Sequence, residues 1–158
     1  MQPELAQLRE LSERRLGLVR DLTAELIGAR PAITSMNVDA IYAHIARQTS
    51  LCRRLEDVRG NEASAWKQAA SYLGFPANPG EGIAIIENLD ADLGRRLRRI
   101  HTDLALAEGE LRQQNRVHAL LIDGTRRTLV ILANALASLS PSYSIPAAPP
   151  PAALEVRS

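Results

Sequence analysis

Residues 93–111 read LGRRLRRIHTDLALAEGEL, and this stretch decides the fold class. Its apolar residues recur after four, three, four, three and four positions, which is the alternation of an α-helix that buries one side. We therefore predict a long helix here, with its arginines in outer or flanking positions. The members of the repeat are Leu93, Leu97, Ile100, Leu104, Ala107 and Leu111.

Similar repeats occur on both sides of this stretch. Leucines at helical spacing fill the first thirty residues, and a second series runs from Ile41 to Leu73. Arg59 and Glu62 fall on the seam of that second series, and we expect them to loosen or expose its middle. Beyond the quoted stretch, Leu121, Leu132, Ala135 and Leu139 resume the repeat after the polar seam residues Gln114, His118, Thr125 and Thr128.

Prolines, glycines and capping residues divide these repeats. Pro3 suits a first helical turn, Asn37 is a capping residue, and Gly74 suits a helix end. We predict an all-α fold, an elongated antiparallel three-helix bundle or coiled-coil hairpin with a long C-terminal helix. The helices are expected at about 3–29, 37–73 and 82–139, and together they form one domain, 1–140. A short turn joins the first two helices, and the glycine-rich segment 74–82 joins the second to the third. A disordered Pro/Ala-rich tail, 141–158, follows the domain.

Composition excludes several classes of protein. Aromatic residues make up 3% of the 158, so strand formers are scarce and a sheet-based enzyme is not expected. The net charge of +1 is too small to imply nucleic acid as the main partner. Cys52 is the only cysteine, which excludes an intramolecular disulfide and fits a reducing compartment. The N-terminus lacks a signal peptide's apolar core and no stretch is apolar enough to insert in a membrane, so we expect a cytoplasmic protein.

The candidate chemical groups form no catalytic pattern. His44, His101 and His118 are far apart in sequence, and none follows a glutamate by three residues as di-iron bundles require. Gly80 and Gly82 precede a helix, but no strand precedes them and no lysine follows, so a phosphate loop is not expected. We predict that the protein is not an enzyme and has no metal or cofactor. The arginine run flanking Leu97 is expected to be a solvated helix face, with Asp92 as an ion-pair partner three and four residues before two of its members.

The late segment from Asn115 to Leu139 differs from the other repeats. Leu120–Ile122 and Leu129–Leu132 are continuous apolar runs, so apolar side chains surround most of the helix circumference. Two shorter helices cannot cover such a surface on every side. We therefore predict a surface that binds a partner.

The same late segment resembles the FlgN family of flagellar export chaperones. The family pattern is N-x-x-N-x-x-L-[LI], then spaced leucines and a turn containing Ser, Pro and Tyr. Here it corresponds to Asn115, His118, Leu121, Ile122, then Leu129, Leu132 and Leu136, then Ser140 to Tyr143, with His118 in place of the second Asn. The order of a leucine-rich helix, a long helix, a break and a long last helix is also similar, over nearly the whole chain to Tyr143.

The resemblance implies a cytoplasmic chaperone that holds hook–filament junction proteins by their C-terminal helical segments and delivers them to the flagellar type III export apparatus. The partner-binding residues would be Asn115, His118, Leu121, Ile122, Leu129, Leu132 and Leu136. A homodimer of the free protein is a further possibility. Two alternatives remain open: a homo-oligomeric structural or regulatory coiled coil, and a helical nucleic-acid-binding protein using the run from Arg95 to Arg99.

Overall fold

The computed structural model of this chain describes residues 3–74, 86 and 91–139. The helices in this part are α1 (Pro3–Gly28), α2 (Arg30–Thr34), α3 (Val38–Leu73) and α4 (Ala91–Leu139), and it contains no strand. The predicted all-α class is confirmed. The chain divides into two compact units, 1–125 and 126–158. The predicted tail, 141–158, and the predicted start of the last helix near residue 82 lie outside the described residues.

The first unit is a bundle of α1, α3 and α4. Two apolar clusters define the direction of its helices. One joins Leu5 and Leu8 of α1 to the C-terminal end of α3 and the beginning of α4, whereas the other joins Leu16 and Val19 to earlier residues of α3 and later residues of α4. Helix α3 is therefore antiparallel to α1, and α4 runs parallel to α1. The first cluster also contains Ala65, Ala69, Ile86, Leu93 and Leu97; the second contains Leu104 and Ala107, with Leu55 and Leu111 packed against it.

Local signals set the ends of α3 as predicted. The side chain of Asn37 accepts a hydrogen bond from the backbone N–H of Ala40 at 3.1 Å. At the other end Gly74 adopts φ 75°, a left-handed conformation that glycine tolerates without steric cost. The polar side chain at the start and the glycine at the end are the usual helix signals, so the sequence was sufficient to place both.

A short helix occupies the connection that the sequence predicts to be only a turn. Pro31 does not only end α1 but lies in the first turn of α2. A backbone N–H at this position has no acceptor within the helix, so its absence in proline costs no hydrogen bond. Ala32 and Ile33 are buried and hold this helix to the bundle. Just after the end of this helix, Met36 adopts the left-handed φ of 52°. The N–H of Asn37 donates to the carbonyl of Ala32 at 2.9 Å. Together these features form a Schellman-type helix ending, with methionine in the place of glycine.

A polar layer lies between the two apolar clusters. Glu62 is 2% exposed and accepts hydrogen bonds from the Ser12 hydroxyl at 2.7 Å and from Arg15 at 2.8 Å. Arg15 also donates to Glu108 of α4. The expectation that Glu62 loosens or exposes the middle of α3 is therefore wrong, because α1 supplies the donors that its carboxylate needs. Arg59, the other seam residue, is exposed.

Candidate helix-binding surface

The described part of the second unit is the end of α4, residues 126–139. Every side chain whose burial is described there is exposed. Five of them are large and apolar, with 50–68% of their surface accessible. We call this set the terminal apolar surface: Leu129, Val130, Ile131, Leu132 and Leu136.

Helical geometry gives this surface a centre and two flanks. Leu129, Leu132 and Leu136 are separated by three and four residues and therefore lie on one side of the helix. Val130 and Ile131 follow Leu129 by one and two residues, each turned by about 100° relative to the residue before it. The result is an apolar strip of three leucines, with the β-branched side chains of Val130 and Ile131 on other sides of the helix. Such a helix can pack against another helix on its leucine side.

The partner-binding residues predicted from the resemblance are distributed over both units. Leu129, Leu132 and Leu136 belong to the terminal apolar surface. Asn115 and Ile122 are exposed on the part of α4 within the first unit, and Leu121 is half-buried there. These six side chains are exposed or half-buried, whereas His118 is buried.

His118 lies inside the bundle of the first unit and is 8% exposed. Burial lowers the pKa of its imidazole, and the nearby charges of Arg30 and His44 lower it further; a hydrogen bond with the backbone of Leu26 opposes them. Among the described residues its Nδ1 has no hydrogen-bond partner. Because His118 is buried within the first unit, its contribution to binding a partner stays a prediction.

The other histidines have structural surroundings. His101 packs edge-on against Trp66, with ring centroids 5.4 Å apart, and burial lowers its pKa. His44 Nδ1 lies 2.5 Å from Glu25 Oε1. Burial of Glu25 would raise the pKa of its carboxyl, but hydrogen bonds from His44 and Arg47 outweigh it and lower that pKa. Within the described ranges no three His, Cys, Asp or Glu side chains are placed to hold a metal ion.

The arginine run of α4 has the arrangement that the repeat predicts. Leu97 and Ile100 are buried, and the four arginines beside them are exposed. Asp92 lies 3.9 Å from Arg95 and 3.1 Å from Arg96, so the predicted ion pairs with spacings of three and four residues are present.

Sequence reasoning missed a second exposed apolar strip, on α3. Ile45 belongs to the repeat that predicts a buried face, yet it is half exposed, and Val38 and Tyr42 beside it are also exposed. These three residues have the same four-and-three spacing as a buried seam. Spacing shows that residues share a face but not whether another helix covers that face.

No described helix is both long and apolar enough to cross a lipid bilayer. Comparison of this chain with models of protein families, with curated proteins and with solved structures finds no match. The likeness to the FlgN family therefore rests on the residues of the late segment and on the order of the helices.

Proposed function

We propose that this protein is a cytoplasmic export chaperone of the FlgN type, which binds an amphipathic helix from the C-terminal segment of a hook–filament junction protein. The observation that supports the proposal is the terminal apolar surface: five large apolar side chains within eight residues of helix, each at least half exposed. Binding would be of the helix-in-groove kind and would need neither nucleotide nor metal. Delivery to the flagellar type III export apparatus belongs to the same proposal and rests on the resemblance.

The size of the surface sets the expected strength of binding. Fully burying one large aliphatic side chain stabilises by about 1.5–3 kcal/mol, so covering the exposed half of five such side chains gives roughly 5 kcal/mol. The loss of translational and rotational freedom on association costs at least about 4 kcal/mol. The difference of about 1 kcal/mol corresponds to a dissociation constant on the order of 0.1 M, so a complex that calorimetry can measure also requires contacts beyond the terminal apolar surface.

The first prediction concerns this surface. Changing Leu129→Asp together with Leu132→Asp would force two carboxylates against the client's apolar side chains, at a cost of several kcal/mol. We expect loss of binding to the C-terminal helical segment of a hook–filament junction protein in isothermal titration calorimetry. Because both leucines are exposed in the free chain, we expect little change in its helicity or its unfolding midpoint by circular dichroism.

A matched double variant tests whether loss of binding comes from this surface or from adding two charges anywhere on the protein. Ile45 and Leu106 are at least as exposed as Leu129 and Leu132 but lie outside the second unit, so Ile45→Asp with Leu106→Asp adds the same two charges elsewhere. This control should bind the client like the native chain. The proposal is wrong if the Leu129/Leu132 variant binds as well as the control, or if the native chain does not bind.

The same surface supports the homo-oligomeric alternative, in which two copies cover each other's leucines. That alternative predicts a sedimentation coefficient that rises with protein concentration and is unchanged by client. A chaperone that binds a client on this surface should instead have any self-association reduced by the client. The nucleic-acid alternative predicts affinity for duplex DNA that falls steeply with salt.

A further inference from the structure

Helix α3 has an exposed strip along the half that follows its N-terminus. Val38, Tyr42 and Ile45 are continued by Thr49 and Cys52 with the same alternation of four and three residues, and all five side chains are exposed. This is the spacing with which one helix packs along another. We call these five residues the α3 strip; they belong to the first unit and share no residue with the terminal apolar surface.

The charges beside the α3 strip are ordered so that a second copy would complement them. Asp39 and Arg53 directly follow the first and last residues of the strip, so they lie on the same side of it, and both are exposed. Among the described residues neither forms an ion pair within the chain. Ala46, also exposed, lies on that side halfway between them. A two-fold axis at Ala46 would therefore place Asp39 of each copy opposite Arg53 of the other.

We propose that the α3 strip is the contact surface of an antiparallel dimer, in which α3 of one copy packs along α3 of a second copy. In this register Ile45 packs beside Thr49 of the second copy. Tyr42 packs beside Cys52 of the second copy. The two-fold axis repeats each of these contacts, so the interface has two copies of each contact and two ion pairs, which fix its register.

Other arrangements leave the charges unmatched. A parallel pair would bring Cys52 beside Cys52 of the second copy, and it would separate Asp39 from Arg53 by about 21 Å along the helix axis. A nucleic acid or an anionic membrane would meet a carboxylate at each end of the strip, because Glu56 follows Cys52 by four residues on the same face. In the antiparallel dimer both Glu56 side chains lie at the ends of the contact, where their carboxylates stay in solvent.

The expected dimer is weak and exchanges rapidly. Its large apolar contacts are Val38, Tyr42 and Ile45 of each copy, far fewer than the roughly 20 to 30 residues a side of a stable complex. Chemical cross-linking suits such a dimer, because it accumulates pairs that form only briefly.

A single engineered thiol at the two-fold axis tests the proposal. The background chain has Cys52→Ser, which removes the native thiol, and Leu129→Asp with Leu132→Asp, which block association through the terminal apolar surface. In this background we expect Ala46→Cys to be joined to a second copy by a short bis-maleimide. Ala105→Cys is the matched control, because Ala105 is an exposed alanine of α4 outside the strip, and it should give little cross-linked dimer.

The native thiol reports the direction of the two helices. With Leu129→Asp and Leu132→Asp but no change at Cys52, the two thiols of an antiparallel dimer would lie about 15 Å apart along the axes. A short bis-maleimide cannot join them, so this chain should cross-link no faster than the Ala105→Cys control.

A charge exchange tests the two ion pairs. Added to the Ala46→Cys chain, Arg53→Glu should slow cross-linking about three- to tenfold, as loss of two exposed ion pairs allows. Adding Asp39→Lys as well restores opposite charges in exchanged positions and should restore the rate. Circular dichroism of each variant should show the same helix content as the background chain.

Each outcome supports or overturns the proposal. Faster cross-linking of Ala46→Cys than of Ala105→Cys, slowed by Arg53→Glu and rescued by the exchange, supports the antiparallel dimer. Equal rates for Ala46→Cys and Ala105→Cys would mean random collision and would overturn it. Faster cross-linking through Cys52 than through Ala46→Cys would show a parallel pair, which also overturns it. Failure of the exchange to rescue the rate would overturn the register. None of these results bears on client binding, which the proposed function assigns to the terminal apolar surface.

Discussion

Glu62 shows how one residue fixes the register in which three helices pack. A carboxylate removed from water is costly unless donors replace its hydration, and here Ser12 and Arg15 of α1 both donate to it. Burial of Arg15 disfavours its charged form, but the hydrogen bonds and charges of Glu62 and Glu108 outweigh this and raise the pKa of the guanidinium. The three helices of the first unit thus meet at one polar layer. A shifted register would leave the buried carboxylate without its donors.

This polar layer gives a prediction at the scale of a residue pair. Arg15→Met leaves the buried Glu62 carboxylate with Ser12 as its remaining donor, and we expect the free energy of unfolding to fall by about 3 kcal/mol. Adding Glu62→Met removes the uncompensated charge and should restore about 2 kcal/mol of the loss. Urea unfolding followed by circular dichroism measures both. Equal stability of the single and double variants would show that the carboxylate is hydrated rather than dependent on Arg15.

At the scale of the element, two side chains at its beginning stabilise the first turn of α3. The first N–H groups of a helix have no partner within it, and Asn37 Oδ1 accepts from one of them. Asp39 in the first turn adds a favourable charge at the positive end of the helix dipole. Both features act locally, so they do not depend on how the rest of the bundle packs.

We therefore expect Asn37→Ala to lower the free energy of unfolding by about 1 kcal/mol, the usual cost of losing such a cap. Asn37→Asp keeps an acceptor oxygen at this position and should remain within a few tenths of a kcal/mol of the native chain. Thermal and urea unfolding would report the difference. If alanine and aspartate proved equally destabilising, the loss would come from another contact of Asn37 and not from its capping bond.

At the scale of the whole molecule, the half-buried His101 and the buried His118 link stability to pH. His101 faces Trp66 and Glu62 of α3 and Arg15 of α1. His118 faces the Leu26 backbone and Arg30, with the charge of His44 nearby. Burial lowers the pKa of both rings below the ordinary value of 6.5. The unfolded chain therefore takes up protons at a higher pH than the folded chain, which lowers the free energy of unfolding as the pH falls.

The expected result is full stability above about pH 7 and progressive loss as the pH falls below about 6.5. His101→Gln combined with His118→Gln should flatten the stability profile in this range, whatever its effect on absolute stability. Glu25 also has a lowered pKa, but its ordinary value is 4.5, so its contribution is lost at lower pH and does not overlap. Urea midpoints measured across this range test the prediction. An unchanged slope in the double variant would contradict it.

The sequence by itself determined the long helices but not α2, because the signals of the long helices are local: the spacing of leucines, the cap at Asn37 and the glycine at position 74. It also determined which residues share a face, since helical geometry fixes that relation once the helix exists. It could not decide which face another helix covers. Ile45 and Leu97 have the same kind of spacing, yet only Leu97 is buried, because burial depends on which other helix packs there. The donors for Glu62 and the enclosure of His118 were likewise decided by the tertiary structure, since each depends on contacts between residues far apart in the chain.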